Sequence, residues 1–325
     1  MSFASGATFV GYSVLRPLGS DEMGDVYLAQ HPRLPHWNTL KVLSATLTDD
    51  REFRDRFMRE TPIATSLYHP HILRVEYRGE SDGQLWITMD YVKGTDAGQL
   101  VANRYPNGMP AGEVLAIVTA VADALDYAHS RGMLHRNVKP VNILFTNPAD
   151  GEQQILLTDF GIARQLGDPD GFAPDLTGEM VAPAAPEQLT ASDIDGRADQ
   201  YSLAATAYFL LTGAPPFQQS KPVAVISQHL TAAPPSLRDR RPELARLDDV
   251  FARALAKNPR DRFGSCRAFA DALSHSAGAW TGDRSPEAYL TVVDYPEDDH
   301  VLDTQPAAAG LASAAAPSTF FPAWA

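Results

Sequence analysis

One stretch of this 325-residue chain constrains its fold more than any other: residues 135–142, with the sequence HRNVKPVN, followed at residues 158–161 by TDFG. Apolar residues recur every three to four positions between residues 110 and 130, which predicts a long helix just before the first segment. A chance pair of turns is the alternative interpretation. Few other arrangements explain both strings at this spacing, behind a helix and a strand.

The two segments match a signature for phosphoryl transfer, in which catalysis relies on positioning and charge. Asp159 is expected to bind a Mg²⁺ that bridges the phosphates of ATP, and Asn142 a second Mg²⁺. Lys139 is expected to place a cation near the transferred phosphate. Lys41, on the third predicted strand, is expected to contact the α and β phosphates and to pair with Glu60 in the following helix. A lysine and a glutamate at this spacing are alternatively only solvated.

The order of predicted elements indicates an α+β fold with two lobes. Strands are predicted at residues 9–19, 25–31, 37–43, 72–77 and 84–91, with one helix at 49–67. Helices are predicted later at residues 200–211, 223–230, 247–255 and 266–275. We expect a β-rich N-lobe with a hinge at 1–92, a mainly helical C-lobe at 93–276, and a disordered tail at 277–325 that is acidic and then rich in Ala and Pro.

Charge and cysteine content exclude several classes of partner. The net charge of −13 repels nucleic-acid phosphates and anionic lipids, so no nucleic acid is expected as a partner. The single cysteine, Cys266, cannot form an internal disulfide, which suits a reducing compartment. No secretory signal is evident, and no apolar run reaches the ~18 residues that a membrane span requires. The chain is therefore expected to be cytoplasmic, without a membrane span.

Several further phrases carry a resemblance to a known family. They are QLWI at residues 84–87, MDYV at 89–92, ALDYAH at 124–129 and GSC at 264–266. With them the chain resembles, over residues 10–276, the eukaryotic-like Ser/Thr protein kinases of actinobacteria, in particular the mycobacterial PknF and PknI type. The resemblance implies a bilobal protein-kinase fold with ATP and Mg²⁺ as cofactors. The expected partner is a protein, either a substrate or a binding partner, and a homodimer or a heterodimer is one expected assembly.

The same resemblance implies roles for further residues. Met89 is the expected gatekeeper beside the adenine, and the backbone from Asp90 to Val92 is the expected hinge. Val26 and Leu144 are expected to sandwich the base. Three residues have expected structural roles: Glu187 at the end of the activation segment, Arg262 as its salt-bridge partner, and Asp199 at the start of an anchoring helix.

The sequence departs from the family where chemistry is concerned. Asn137 occupies the position of the catalytic aspartate, and an amide cannot accept a proton at neutral pH. Losing a positioned base costs ~10²–10⁴ in rate. The threonine that normally bonds this aspartate falls at Met180, and the usual tyrosine falls at Pro183. Thr39 stands where the family usually has alanine over the adenine, which narrows the pocket.

The phosphate loop, residues 18–26, is a second departure. Gly19 and Gly24 remain, but Asp21 occupies the place of the middle glycine and Glu22 follows it. Carboxylates here either repel the phosphates or point to solvent, and the sequence supports both interpretations equally.

One feature of the activation segment bears on regulation. Thr177 is the only hydroxyl residue between positions 161 and 185, and Arg136 is expected to bind a phosphate placed on it. Nearby acidic residues offer fixed negative charges as the alternative.

Three functional hypotheses follow. The leading one is a kinase-family protein that binds ATP and Mg²⁺ but transfers phosphate to Ser or Thr weakly or not at all, as a pseudokinase does. The second is an active Ser/Thr protein kinase with a modest rate, in which Asn137 positions the acceptor hydroxyl. The third is a scaffold or allosteric partner that acts independently of ATP, for which Asp21 and Glu22 are the best support.

Overall fold

A computed structural model of the chain describes residues 3–21, 23–147, 153–160, 183–190 and 192–278. Its N-terminal part is an antiparallel sheet with the strand order β1-β2-β3-β4-β6-β5. The strands are β1 (Thr8–Phe9), β2 (Tyr12–Asp21), β3 (Gly24–Gln30), β4 (Trp37–Leu43), β5 (Val75–Ser81) and β6 (Gln84–Asp90). The α+β architecture predicted from the sequence is confirmed.

The helix predicted at residues 49–67 is present as α2 (Arg51–Thr65), and a short helix that was not predicted, α1 (Ala45–Asp49), precedes it. Asp50 lies between the two helices in an extended conformation. The Asp50 carboxylate accepts hydrogen bonds from the backbone N–H groups of Glu52 and Phe53. An N-cap of this kind satisfies donors that have no partner within the helix, so α2 begins afresh after Asp50.

Pro62 lies inside α2 without breaking it. A proline has no N–H to give to the carbonyl four residues earlier, which here is that of Met58. The Arg78 guanidinium on β5 donates to the carbonyl of Met58 at 3.3 Å and to that of Phe57 at 2.6 Å. Burial lowers the pKa of Arg78 to about 10, so the group stays charged at neutral pH. The strand therefore supplies the donor that the helix lacks.

The C-terminal part is mainly helical. Its helices are α3 (Ala97–Arg104), α4 (Ala111–His129), α5 (Pro186–Leu189), α6 (Gly196–Thr212), α7 (Pro222–Thr231), α8 (Asp248–Ala254) and α9 (Cys266–Gly278). The predicted stripe of α4 is confirmed: Val114, Val118, Val121 and Leu125 are all buried in the largest core cluster. Within the described residues, every helix is too short or too polar to cross a bilayer.

A small second sheet lies where the two parts meet. It consists of β7 (Gly94–Asp96), β8 (Ile143–Thr146) and β9 (Ile155–Leu157). The strand predicted to begin at residue 72 begins at Val75, because Ile72 forms an isolated bridge with Leu157 instead. Leu73 N–H donates to the Leu157 carbonyl, and Leu157 N–H donates to that of His71, both at 2.9 Å. These bonds fix β9, and hence the residues that follow it, against the N-lobe.

The stabilisation of α2 by Arg78 is testable. Arg78→Met should lower the free energy of unfolding by ~1–2 kcal/mol in urea denaturation, since two carbonyls lose a charged donor. The control Arg33→Met, at an exposed arginine, should change it by less than ~0.5 kcal/mol. In a Pro62→Ala background the cost of Arg78→Met should shrink, because a backbone N–H then serves Met58. Equal costs in both backgrounds would contradict this account.

Candidate functional site

The cleft between the lobes centres on the ammonium group of Lys41. Its side chain is only 2% exposed, and its Nζ donates to Oδ2 of Asp21 and to Oδ2 of Asp159, both at 2.8 Å. Burial acts to lower the pKa of Lys41, but the two carboxylates outweigh it and hold the pKa above its ordinary value. Lys41 is therefore a fixed positive charge inside the cleft.

Asp159 follows β9 with a positive φ of 69° and is 9% exposed. Burial acts to raise its pKa, but the charge and hydrogen bond of Lys41 outweigh it and hold the pKa below its ordinary value. The preceding Thr158 N–H donates to the Asn142 carbonyl at 3.0 Å. The ionised carboxylate of Asp159 and the amide of Asn142 are thus held on adjoining segments. Both groups offer oxygen atoms, which are the ligands that Mg²⁺ prefers.

Asp199, in the first turn of α6, holds the backbone at the start of the loop of residues 135–142. The Asp199 carboxylate accepts from the N–H groups of His135 and Arg136 at 2.8 and 2.6 Å, and contacts His129 Nε2 at 2.7 Å. Burial acts to raise the pKa of Asp199, but the hydrogen bond and charge of His129, together with the charge and backbone hydrogen bond of His135, outweigh it and hold the pKa below its ordinary value. The buried carboxylate stays charged and sets the path of the loop.

Two further amides shape the same loop around Asn137. The Asn142 side chain donates to the Asn137 carbonyl at 2.8 Å, and the Gln188 side chain on α5 donates to the Arg136 carbonyl at 2.9 Å. Lys139, within the same loop, is buried, and its charge acts on Asp159. The loop backbone is therefore fixed by contacts that do not depend on which side chain stands at position 137.

The phosphate loop is folded inward at its tip. The Met23 side chain is buried in the core cluster that includes Leu43, and the Met23 carbonyl accepts from Ser44 N–H at 2.8 Å. Gly24 has a φ of 148°, and a Cβ there would lie 2.0 Å from the Val42 carbonyl oxygen, so only glycine fits. Asp21 is partly exposed, yet its carboxylate contacts Lys41 Nζ, whereas Glu22, for which the same two interpretations were open, lies outside the described residues.

The expected adenine pocket is lined from both lobes. Val26 on β3 pairs in register with Lys41, while Leu144 on β8 packs against the N-lobe core. Met89 is buried, pairs with Thr39 across β4 and β6, and its sulfur accepts from the Thr158 hydroxyl at 3.4 Å. The strand β6 ends at Asp90, the first residue of the expected hinge that continues to Val92.

Residues 12–276 match the protein kinase domain. This chain belongs to the protein kinase family. Among similar proteins, the kinase PknF of Mycobacterium tuberculosis is 58% identical over 279 residues, which cover 86% of this chain and 59% of PknF. PknI of the same organism is 53% identical over 310 residues, 91% of this chain and 49% of PknI.

Solved structures agree with the family. The kinase domain of M. tuberculosis PknI matches with a TM-score of 0.72 at 55% identity, covering 85% of this chain and 100% of that domain. A double mutant of the same domain matches with a TM-score of 0.74 at 54% identity, covering 86% and 100%. The chain thus spans between about half and three-fifths of the length of these two relatives, and all of the PknI kinase domain as solved.

One predicted contact of the kinase site is wrong. Lys41 was expected to pair with Glu60, but Glu60 on α2 accepts from Arg136 NH1 with both carboxylate oxygens at 2.9 Å. Asp21 and Asp159 take both contacts on Lys41 instead. Glu60 thus pairs with a guanidinium of the C-lobe. The same contact occupies Arg136, which the sequence suggested as a receptor for phosphate.

Other expected residues lie in the structural frame or outside the described part of the chain. Arg262 donates to both oxygens of Glu187 at 2.7 and 2.8 Å, so the expected ion pair is present, in a buried setting. Gly19 lies on β2, with open space where its Cβ would be. Thr177, Met180 and the other residues of 161–182, together with Glu22 and 279–325, lie outside the described residues.

Sequence reasoning missed two residues of this kinase site. His129 contacts Asp199, and Gln188 holds the Arg136 carbonyl. Both lie in stretches that the sequence marked out, ALDYAH for His129 and the position after Glu187 for Gln188. The sequence phrases that contain His129 and Gln188 were visible, but they did not show that these side chains contact Asp199 and the Arg136 carbonyl.

The partner of Glu60 can be measured in solution. A double-mutant cycle of Glu60→Gln with Arg136→Met should give a coupling of ~1 kcal/mol in urea denaturation, because the pair is mostly buried and Arg136 Nη1 donates to both carboxylate oxygens of Glu60. The matched cycle of Glu60→Gln with Lys41→Met should give a coupling near zero. A reversed result would mean that Glu60 pairs with Lys41 when the protein is in solution.

Proposed function

We propose that this chain binds ATP with Mg²⁺ in the cleft beside Lys41 and Asp159, and that it transfers phosphate to Ser or Thr of proteins slowly or not at all. The observation that carries the proposal is Asn137 at the position of the catalytic aspartate, in a loop whose backbone is otherwise held in place. The change removes a base without removing the nucleotide-binding residues.

The binding half of the proposal rests on charge. Lys41 is a buried cation suited to the α and β phosphates, and Asp159 is an ionised carboxylate beside the Asn142 segment. Mg²⁺, when bound, neutralises phosphate charge, and Asp159 and Asn142 are the residues that would hold it. Lys139 adds a buried cation on the acceptor side.

The catalytic half rests on proton chemistry. An amide has almost the shape of a carboxylate but cannot accept a proton from the acceptor hydroxyl. Loss of a general base costs ~10²–10⁴ in rate, so slow transfer remains physically allowed. The bonds from Asp199, Asn142 and Gln188 reach the loop backbone, so an aspartate at position 137 fits without rearrangement.

Two other functions each have an observation in their favour. An active Ser/Thr kinase of modest rate is favoured by the 58% identity to PknF, which is named a serine/threonine-protein kinase. A scaffold that acts without ATP is favoured by the contact of Asp21 with Lys41. In each case the expected partner is a protein, as substrate or as a bound companion.

The deciding experiment combines binding with transfer. ATP should bind saturably to the parent protein, more tightly with Mg²⁺ than without, in a calorimetric titration. In a radiolabel transfer assay, Asn137→Asp should exceed the parent by ~10²-fold or more, because the base is restored. The matched variant Asn137→Ala, which keeps the backbone but offers no base, should stay at the parent rate.

Two results would overturn the proposal in different directions. Transfer by the parent at the rate of Asn137→Asp, abolished by Asp159→Ala, would identify an active kinase. Failure of ATP to bind at millimolar concentration would favour the scaffold.

A further inference from the structure

The carboxylate of Asp21 already binds the groups that the phosphates of a nucleotide would need. Its Oδ1 accepts from the backbone N–H of Met23 at 2.9 Å and from that of Gly24 at 3.1 Å. Its Oδ2 accepts from Lys41 Nζ at 2.8 Å. Backbone N–H groups of a glycine-containing loop and the strand lysine are the donors that cradle phosphates in this kind of site. Asp21 therefore stands where an anion is expected.

The position of Asp21 is fixed by its surroundings. The side chain is 33% exposed, and the residue closes the tip of the β2–β3 hairpin opposite Gly24. The next described residue, Met23, is anchored by its buried side chain and by Ser44. The carboxylate is thus held over the cleft by two backbone bonds and one ion pair, and a nucleotide meets it already in place.

Charge makes this arrangement exclusive. One ammonium group, that of Lys41, faces the carboxylates of Asp21 and Asp159, so the three groups together carry one excess negative charge. A phosphate brought to the same donors meets a carboxylate of like sign, and the repulsion is strong in a partly buried site. The two backbone N–H groups, each with a single proton, cannot donate to Asp21 and to a phosphate at once.

We propose that Asp21 is an internal ligand of the phosphate site and sets the affinity for nucleotides according to the phosphates they carry. The inference rests on the proposed function, since it requires that nucleotides bind in this cleft. A nucleotide with phosphates binds only to molecules in which the Asp21 carboxylate has moved away from Lys41 and the two N–H groups. Its apparent Kd is therefore the intrinsic Kd divided by the fraction of such molecules. Adenosine, which carries no phosphate, binds without this cost.

Two substitutions separate the parts of the contact. Asp21→Asn retains an oxygen that accepts from Met23 and Gly24 but removes the charge facing Lys41. Asp21→Gly removes the side chain altogether. By calorimetric titration without Mg²⁺, the Kd for ATP should fall about 10- to 100-fold in Asp21→Asn, the range that one charge-assisted hydrogen bond contributes. Asp21→Gly should gain at least as much, and the Kd for adenosine should stay within about twofold of the parent in both.

The control is Asp82→Asn, which removes one negative charge from the exposed tip of another N-lobe hairpin. It should leave both Kd values unchanged. An ATP Kd unaffected by both Asp21 variants overturns the inference and leaves the proposed function standing, as does an equal gain for ATP and adenosine or an equal gain in Asp82→Asn. If neither the parent nor any variant binds ATP or adenosine, the proposed function fails and the inference fails with it.

Discussion

The buried carboxylate of Asp199 is the interaction on which the rest of the site depends. It holds two successive backbone N–H groups, those of His135 and Arg136, and it rises from a helix that is buried over most of its length. A buried charge is costly unless it is fully bonded, and here the bonds run to the loop that bears the chemistry. The helical core thereby determines where residues 137–142 lie. The backbone position of Asn137 is set by these bonds and not by its own side chain, so it suits an aspartate equally well.

Whereas the C-lobe half of the cleft depends on the Asp199 carboxylate, the N-lobe half depends on a cation, the ammonium group of Lys41. Lys41 joins the tip of the β2–β3 hairpin to the segment after β9, because each contributes one carboxylate. Glu60 forms its ion pair with Arg136, so this residue connects α2 to the C-lobe and not to β4, the strand that bears Lys41. Lys41 and Asp159, both expected to act on a nucleotide, contact each other in this structure, and Asp21 takes a further contact on Lys41.

The sequence was sufficient for the fold and for placing Asn142 and Asp159 on adjoining segments, because both residues belong to motifs at a characteristic spacing. It was insufficient for the partner of Glu60. A glutamate on α2 can reach either Lys41 or Arg136, and the choice depends on how the helix packs between the lobes. It also left Asp21 undecided, since the direction of a side chain at a hairpin tip follows from backbone dihedrals that short-range patterns do not determine. The break between α1 and α2 had a readable signal in Asp50, a residue favoured at helix N-caps.

The backbone bonds between residues 71–73 and Leu157 have a mechanical consequence. They join the two lobes at a second point, separate from the covalent connection after Asp90. Two bodies joined at one point can swivel in any direction, whereas two bodies joined at two points keep a single easy rotation about the line through both. Rotation about that line leaves the hydrogen bonds of Leu157 intact, whereas twisting of one lobe over the other would have to break them.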